Sequence, residues 1–177
     1  MIDLDRRRVL AGLGGAAVLG GGAALAARSG GDPDALPMRV DTLDAPGSTA
    51  GEARVPVPDG PLLLDLFATW CPPCAESMPA LAAAEERYPD VRFLSVTNER
   101  FGGGLDAEAV REWWREHDGA WTLGHDPKSR LMAALGAGPL PHLALFDADG
   151  TVVWDHGGVV EDGQVEEAIA THLDGRG

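Results

Sequence analysis

The most constraining feature of the sequence is a junction near residue 70, where an apolar run meets two cysteines. Leu62 to Ala68 (LLLDLFA) has the length of a strand and is interrupted only by Asp65. Such runs are typical of strands covered on both faces, as in the middle of an α/β sheet. After Trp70-Cys-Pro-Pro-Cys74, the pattern predicts a helix from about Pro73 to Tyr88, with proline in its first turn. Val91 to Thr97 is the next apolar strand, so this stretch predicts one βαβ unit.

The flanking segments predict the remaining elements of a single α/β domain. Two short alternating segments, 38–43 and 53–57, predict an N-terminal hairpin. Further along, the pattern predicts a helix from its cap at Asp106 to His117, with Trp113 and Trp114 packed inward, and a second helix over Lys128–Leu135 that ends at Gly136. Leu143–Phe146 and Thr151–Trp154 are then expected to form a hairpin around the turn Asp147–Gly150. A last helix is expected to run from its cap at Asp162 to Leu173. The expected architecture is a mixed central sheet flanked by helices on both faces.

The cysteine pair is the motif that carries chemistry. A sulfur at a helix N-terminus meets unpaired backbone N–H groups and the positive end of the helix dipole, and both favour the nucleophilic thiolate. We therefore expect Cys71, at the exposed end, to attack a substrate disulfide, and the more buried Cys74 to resolve the mixed disulfide. Pro72 and Pro73 have no N–H, so the nearest amide available to the Cys71 sulfur is that of Cys74. Fewer hydrogen bonds to the thiolate favour a reductant.

Other roles for a C-x-x-C pair fit this sequence less well. A zinc site would need further ligands, and the chain has only 2 cysteines. Covalent haem attachment needs histidine directly after the second cysteine, where this chain has Ala75. A purely structural disulfide across two residues closes too short a loop to stabilise much. These comparisons favour a redox-active pair, without metal or cofactor.

Two segments together resemble the thioredoxin superfamily, specifically the extracytoplasmic thioredoxins of the TlpA/ResA type. The first is Leu66 to Leu81 (LFATWCPPCAESMPAL), and the second is Gly138 to Asp147 (GPLPHLALFD). The resemblance implies a thioredoxin fold over roughly Leu36 to Asp174, with a central helix–strand insertion at Asp106 to Leu123. It also implies that Pro141 is a cis-proline beside the active-site disulfide. The substrate-binding residues are then expected to be Trp70, Pro72, Leu140 and Pro141.

Three positions depart from the pattern of that group. Asp65 matches the buried acid of ordinary thioredoxins, and we expect it to exchange a proton with Cys74 or, alternatively, to be a structural aspartate. Ser77 stands where ResA-like members have glutamate, which places their haem-maturation specialisation in doubt. His142 follows Pro141 where the family usually has threonine. A cation there would favour a nearby thiolate, whereas the alternative is a packing or solvent-facing histidine.

The N-terminus resembles an export signal. Residues 5–10 (DRRRVL) pair arginines with apolar residues in the manner of a twin-arginine signal, and residues 9–27 follow without charge. The alternative is an uncleaved membrane anchor, and either places the domain outside the cytoplasm. We therefore expect a signal or anchor at 1–27, a linker at 28–36 and a thioredoxin-like domain at 37–177.

The charge of the chain limits its partners. The formal net charge is −14, and Lys128 is the only lysine. Such a composition disfavours nucleic acid and anionic membrane surfaces as partners. It is similar to that of proteins from extreme halophiles, although an acidic protein from a high-GC genome would also fit.

These observations predict a monomeric reductase of disulfides in exported proteins, supplied with electrons by a membrane donor. The alternative is a metallochaperone of similar fold that binds Cu(I) through Cys71, Cys74 and His142, because soft thiolates suit Cu(I). Insulin reduction measured beside a copper titration distinguishes the two.

Overall fold

A seven-stranded mixed sheet forms the centre of the domain in the computed structural model, which describes residues 31–173. The predicted signal at 1–27 lies outside the described residues. The strands are β1 Met38–Thr42, β2 Gly51–Val55, β3 Leu62–Phe67, β4 Arg92–Thr97, β5 Thr122–His125, β6 His142–Phe146 and β7 Val152–Gly157. Their order across the sheet is β2-β1-β5-β4-β3-β6-β7. Strands β3, β4 and β5 are parallel, while β6 is antiparallel to β3, and β7 to β6.

Four helices cover the two faces of this sheet. They are α1 Pro72–Arg87, α2 Ala107–Glu116, α3 Arg130–Leu135 and α4 Gln164–His172. Buried residues of α1, α2 and α4 pack in one apolar cluster with Leu63 and Phe67 of β3. Leu131 of α3 packs on the opposite face, with Leu64 and Leu66. The alternation along β3 assigns successive residues to opposite faces, and all six are buried, as the continuous apolar run predicts.

The predicted insertion is confirmed as α2 followed by β5. Asp106 caps α2 by accepting a hydrogen bond from the Ala109 amide at 2.9 Å. Both tryptophans of α2 are buried, as expected, and Trp113 stacks on Phe67 with 4.9 Å between ring centroids. The insertion therefore packs onto the same sheet face as α1.

The predicted cap of the last helix is wrong. Gly163 occupies the N-cap position of α4 with φ +80°, and no side chain caps the helix there. Because glycine tolerates this left-handed conformation, the chain enters the helix two residues after Asp162. The Gln164 side chain instead accepts a hydrogen bond from the Glu161 amide at 3.2 Å.

The N-terminal hairpin and the hairpin of β6 and β7 are confirmed. Asp147 Oδ1 accepts hydrogen bonds from the amides of Asp149 and Thr151, so this loop is a turn, as predicted. The two cysteines lie at the end of the strands where β3, β4 and β7 end and β6 begins. We call this end of the sheet the cysteine edge.

Candidate active site

Cys71 and Cys74 form a disulfide at the N-terminus of α1, with their Cα atoms 5.3 Å apart. Cys71 is the N-cap residue of the helix, and its sulfur accepts a hydrogen bond from the Cys74 amide at 3.3 Å. Pro72 and Pro73 occupy the intervening positions without N–H groups. The prediction that the Cys74 amide is the donor nearest to the Cys71 sulfur is therefore confirmed.

The expected difference in exposure between the two cysteines is absent. Cys71 exposes 3% of its surface and Cys74 exposes 2%. The closed disulfide holds both sulfurs in the apolar cluster that contains Phe67 and Met78, so burial does not distinguish the nucleophile in this state. Cys71 is distinguished by its position at the helix N-cap.

Asp65 is buried on the cysteine side of the sheet, since its neighbours on that face, Leu63 and Phe67, pack in the same cluster as both cysteines. Its Oδ2 accepts a hydrogen bond from the Ser95 hydroxyl at 2.8 Å, whereas Oδ1 has no hydrogen-bond partner in the part of the chain that the structure describes. Burial raises the pKa of Asp65 from 3.8 to about 7, although the Ser95 hydrogen bond opposes this rise. The carboxyl group can therefore gain and lose a proton near neutral pH.

Ser77 is fully buried and uses its hydroxyl for structure. Its Oγ donates to the Pro73 carbonyl at 2.9 Å and accepts from the Val160 amide at 3.0 Å. This pair of bonds ties the active-site helix to the segment after β7. A glutamate at this position would have to bury a carboxylate there, so the serine has a different role from the acid of ResA-like proteins.

The four expected substrate-binding residues lie at the cysteine edge. Trp70 is 70% exposed, Pro72 is exposed and Leu140 is half-buried. Pro141 is buried, and the Leu140–Pro141 peptide bond is cis, as the resemblance implied. The Pro141 carbonyl accepts a hydrogen bond from the Gly158 amide at 2.8 Å, so that oxygen is already engaged within the domain.

Of the two alternatives for His142, the structure favours a packing histidine over a cation. Its side chain is buried, and burial is the main cause that lowers its pKa, so the neutral imidazole is favoured at neutral pH. Along β6, His142 shares a face with Ala144 and Phe146, which belong to the cluster opposite the cysteines. Within residues 31–173, no group of three or more histidine, cysteine or acidic side chains is placed to hold a metal ion. This arrangement does not favour the copper alternative.

Glu99 is a site residue that the sequence analysis missed. It is 8% exposed and lies two residues after the end of β4. Its carboxylate accepts hydrogen bonds from the Thr69 amide and hydroxyl, both at 2.8 Å. A third bond comes from the Thr97 hydroxyl at 2.9 Å. Glu99 thereby holds the loop two residues before Cys71. The only sequence signal was an acidic residue at the end of an apolar strand.

The family comparison agrees with this geometry. The protein-family description that matches the chain is Redoxin, over residues 38–172. The chain is similar to the "Thiol:disulfide interchange protein DsbE homolog" of Paracoccus denitrificans, with 31% identity over 140 residues, 72% of each protein. It is also similar to the "Thiol-disulfide oxidoreductase ResA" of Bacillus cereus, with 28% identity over 92 residues, 52% of this chain and 51% of the relative. That alignment spans about half the length of the relative.

Solved structures show the same fold. A secreted Mycobacterium tuberculosis disulfide oxidoreductase, described as homologous to Escherichia coli DsbE, matches with a TM-score of 0.65 and 18% identity. The match covers 78% of this chain and 98% of that one. The predicted thioredoxin fold is confirmed, as is the resemblance to ResA-type proteins.

Proposed function

The chain belongs to the Redoxin family of thioredoxin-fold proteins, and on this premise we propose that it is a thiol–disulfide oxidoreductase that reduces disulfides of exported proteins. The observation that carries the proposal is the Cys71 sulfur at the N-cap of α1, where it accepts the Cys74 N–H. A helix N-terminus stabilises negative charge and therefore favours the thiolate once the pair is reduced.

The proposed reaction transfers two electrons from the dithiol to the substrate. The Cys71 thiolate attacks a substrate disulfide, forms a mixed disulfide and releases one substrate sulfur as thiolate. The Cys74 thiol then gives its proton to the Asp65 carboxylate and attacks the Cys71 sulfur. The second substrate sulfur leaves as thiolate, and the Cys71–Cys74 disulfide forms. A membrane electron donor that carries a dithiol of lower potential would return the two electrons for the next cycle and would itself be oxidised to a disulfide.

The position of Asp65 supports its role as proton acceptor. Its pKa of about 7 allows both protonation states near neutral pH, and it lies on the cysteine side of the sheet. A general base works best when its pKa is close to the operating pH. Asp65 also matches the buried acid of ordinary thioredoxins.

A reductive direction is supported by the few donors around the Cys71 sulfur. Pro72 and Pro73 supply no N–H, and the neutral His142 supplies no cation. A thiolate with little stabilisation makes the reduced form less favoured, so the protein donates electrons more readily. We expect a reduction potential below about −200 mV, towards thioredoxin at roughly −270 mV and away from strong oxidases near −120 mV. Equilibration with dithiothreitol redox buffers measures it, and a value near the oxidase end would reverse the assigned direction.

Exposed apolar side chains around Cys71 support a polypeptide substrate. Among the described residues, the exposed large hydrophobic side chains are Trp70 at 70%, Phe101 at 40% and Val159 at 39%. They follow β3, β4 and β7, and the C-terminal ends of these strands lie at the cysteine edge. An apolar rim of this kind suits an unfolded or extended client segment.

The cysteines test the function directly. We expect Cys71→Ser to abolish insulin reduction and Cys74→Ser to accumulate mixed disulfides with clients. Because the chain has only 2 cysteines, each variant retains a single thiol, and trapped species report that thiol alone. If both variants trap clients equally, the assigned order of attack is wrong. If both variants still reduce insulin, the proposed function is refuted.

An extracytoplasmic location is proposed from the twin-arginine pattern at residues 5–10. In residues 31–173, no helix has the length and apolar character needed to cross a membrane. Replacing Arg6 and Arg7 together with lysine should leave the protein in the cytoplasm, whereas Arg28→Lys should not. Undiminished export of the double variant would indicate the general secretory route.

A further inference from the structure

A short hydrogen-bond chain runs from the insertion to the buried acid. Trp121, just before β5, donates its indole N–H to the Ser95 hydroxyl oxygen at 2.9 Å. Ser95, on β4, donates to Asp65 Oδ2 at 2.8 Å. The three residues are 4%, 0% and 3% exposed, so bulk water has little access to any of them.

The direction of this chain follows from the chemistry of its first member. An indole N–H can only donate, so the Ser95 oxygen must accept in that bond. The single hydroxyl proton of Ser95 is then the group that points at Asp65 Oδ2. Trp121 thus orients a side chain that would otherwise be free to rotate.

This orientation makes the two oxygens of Asp65 unequal. A proton on Oδ2 would meet the Ser95 hydroxyl proton, and Ser95 would have to give up a buried hydrogen bond. A proton on Oδ1 leaves both bonds of the chain in place, and within residues 31–173 Oδ1 has no hydrogen-bond partner. Losing a buried hydrogen bond is costly, so the proton is held on Oδ1.

We propose that Ser95 and Trp121 are positioning residues that reserve Asp65 Oδ1 as the oxygen that takes up and releases the proton. The inference rests on the proposed function of Asp65 as the acceptor of the Cys74 proton. It assigns the α2–β5 insertion a part in the active site, since Trp121 lies in the connection between these two elements.

No charged residue among residues 31–173 contributes to the pKa shift of Asp65. Its paired residues on the neighbouring strands are Ser95 and Leu143, and the apolar cluster on its face contains both cysteines. The causes of its pKa shift are burial, which raises it, and the Ser95 hydrogen bond, which lowers it. The Ser95 bond therefore supports the carboxylate form that must receive the proton.

The test is a carbon-13 NMR titration of aspartate carboxyl groups in the oxidised full-length protein, with the Asp65 signal assigned by its loss in Asp65→Asn. We expect Ser95→Ala to raise the pKa of Asp65 by about one pH unit, since one hydrogen bond to the charged form is lost. Trp121→Phe should raise it by less. Trp121→Phe should have no further effect in the Ser95→Ala background, because its influence passes through Ser95.

Two variants serve as matched controls. Trp114→Phe removes another buried indole N–H from the same cluster, one that donates to the Pro46 carbonyl, and Ser48→Ala removes another buried serine hydroxyl. Neither should move the Asp65 titration. Ser95→Thr keeps a hydroxyl at this position, so the pKa of Asp65 in this variant should equal that of the wild type.

An unchanged Asp65 titration in Ser95→Ala would overturn the proposal, as would an equal effect of Trp121→Phe with and without Ser95. If Ser95→Ala does not fold, the comparison of Trp121→Phe with Trp114→Phe decides. The NMR titration does not depend on catalytic turnover. A negative result there is therefore distinct from a negative result in the insulin assay, which tests the proposed function.

Discussion

Replacing Asp65 with asparagine should make the folded protein more stable at alkaline pH. Asparagine keeps the shape of the side chain and can still accept the Ser95 hydrogen bond, but it carries no titrating proton. The folded wild type holds the Asp65 proton up to a pKa of about 7, whereas the ordinary value is 3.8. Between these values the folded state binds more protons than the unfolded state, so wild-type stability falls as the pH rises.

The size of the effect follows from the two pKa values. Each pKa unit corresponds to about 1.4 kcal/mol, so the shift from 3.8 to about 7 costs the folded wild type about 4 kcal/mol once Asp65 is ionised. This cost is small near pH 4 and disappears well below pH 3.8, where the carboxyl is protonated in both states. Wild type and Asp65→Asn should therefore be similar in stability near pH 4, and the variant should be more stable by up to about 4 kcal/mol at pH 8.

Urea unfolding of the oxidised proteins at pH 4, 6 and 8 measures this difference. In the oxidised state the cysteines do not titrate, and other ionisable groups contribute equally to both proteins. Asp149→Asn makes the same chemical change at an exposed position and serves as the control for the substitution itself. The same Asp65 variant should reduce insulin more slowly at neutral pH, because the acceptor for the Cys74 proton is lost. If the free energies of unfolding of wild type and Asp65→Asn change with pH in the same way, the conclusion that Asp65 is a buried acid with a raised pKa is refuted.

Two further predictions concern the support of the site and the packing of the fold. Glu99→Ala should lower kcat/KM for insulin reduction by about tenfold, because the Thr69 amide and hydroxyl lose their acceptor. Glu99→Gln, which can bond to the same groups, should retain most of the activity, and equal loss in both variants would assign the effect to charge. Gly47→Ala should destabilise the domain by about 2 kcal/mol or more in urea unfolding, since Gly47 has φ +73° and a Cβ there would lie 1.7 Å from the Ala120 carbonyl oxygen. Gly60→Ala is its control, because no atom of residues 31–173 lies within 4 Å of a Cβ there, and an equal loss in both would contradict the packing argument.

Much of the site could be predicted because its signals are local in the chain. The continuous apolar run predicted that β3 is buried on both faces, and hence that Asp65 is buried with it. Proline in the first turn and the strand-to-helix junction predicted that the cysteine pair lies at the N-terminus of α1, and the structure makes Cys71 the N-cap residue. These features depend on residues within about ten positions of one another, where strand alternation and helix capping act directly.

The contacts that hold the site could not be predicted, because they join residues distant in the chain. Thr69 and Glu99 are 30 residues apart, and Ser95 and Trp121 are 26 apart. Only the parallel register of β3, β4 and β5 makes them neighbours. No periodicity in the sequence specifies that register, because one apolar strand pairs with another through backbone groups that all residues share.

The sequence by itself determined the chemistry available to this protein, namely a dithiol at a helix N-terminus and a buried acid on the preceding strand. The tertiary structure decided which groups act on them. It placed His142 on the sheet face opposite the cysteines, where burial favours the neutral imidazole, and it closed both cysteines into the core as a disulfide. The physical reason is that a side chain's charge depends on its solvent and neighbours, and in a folded sheet these are set by strand order and face.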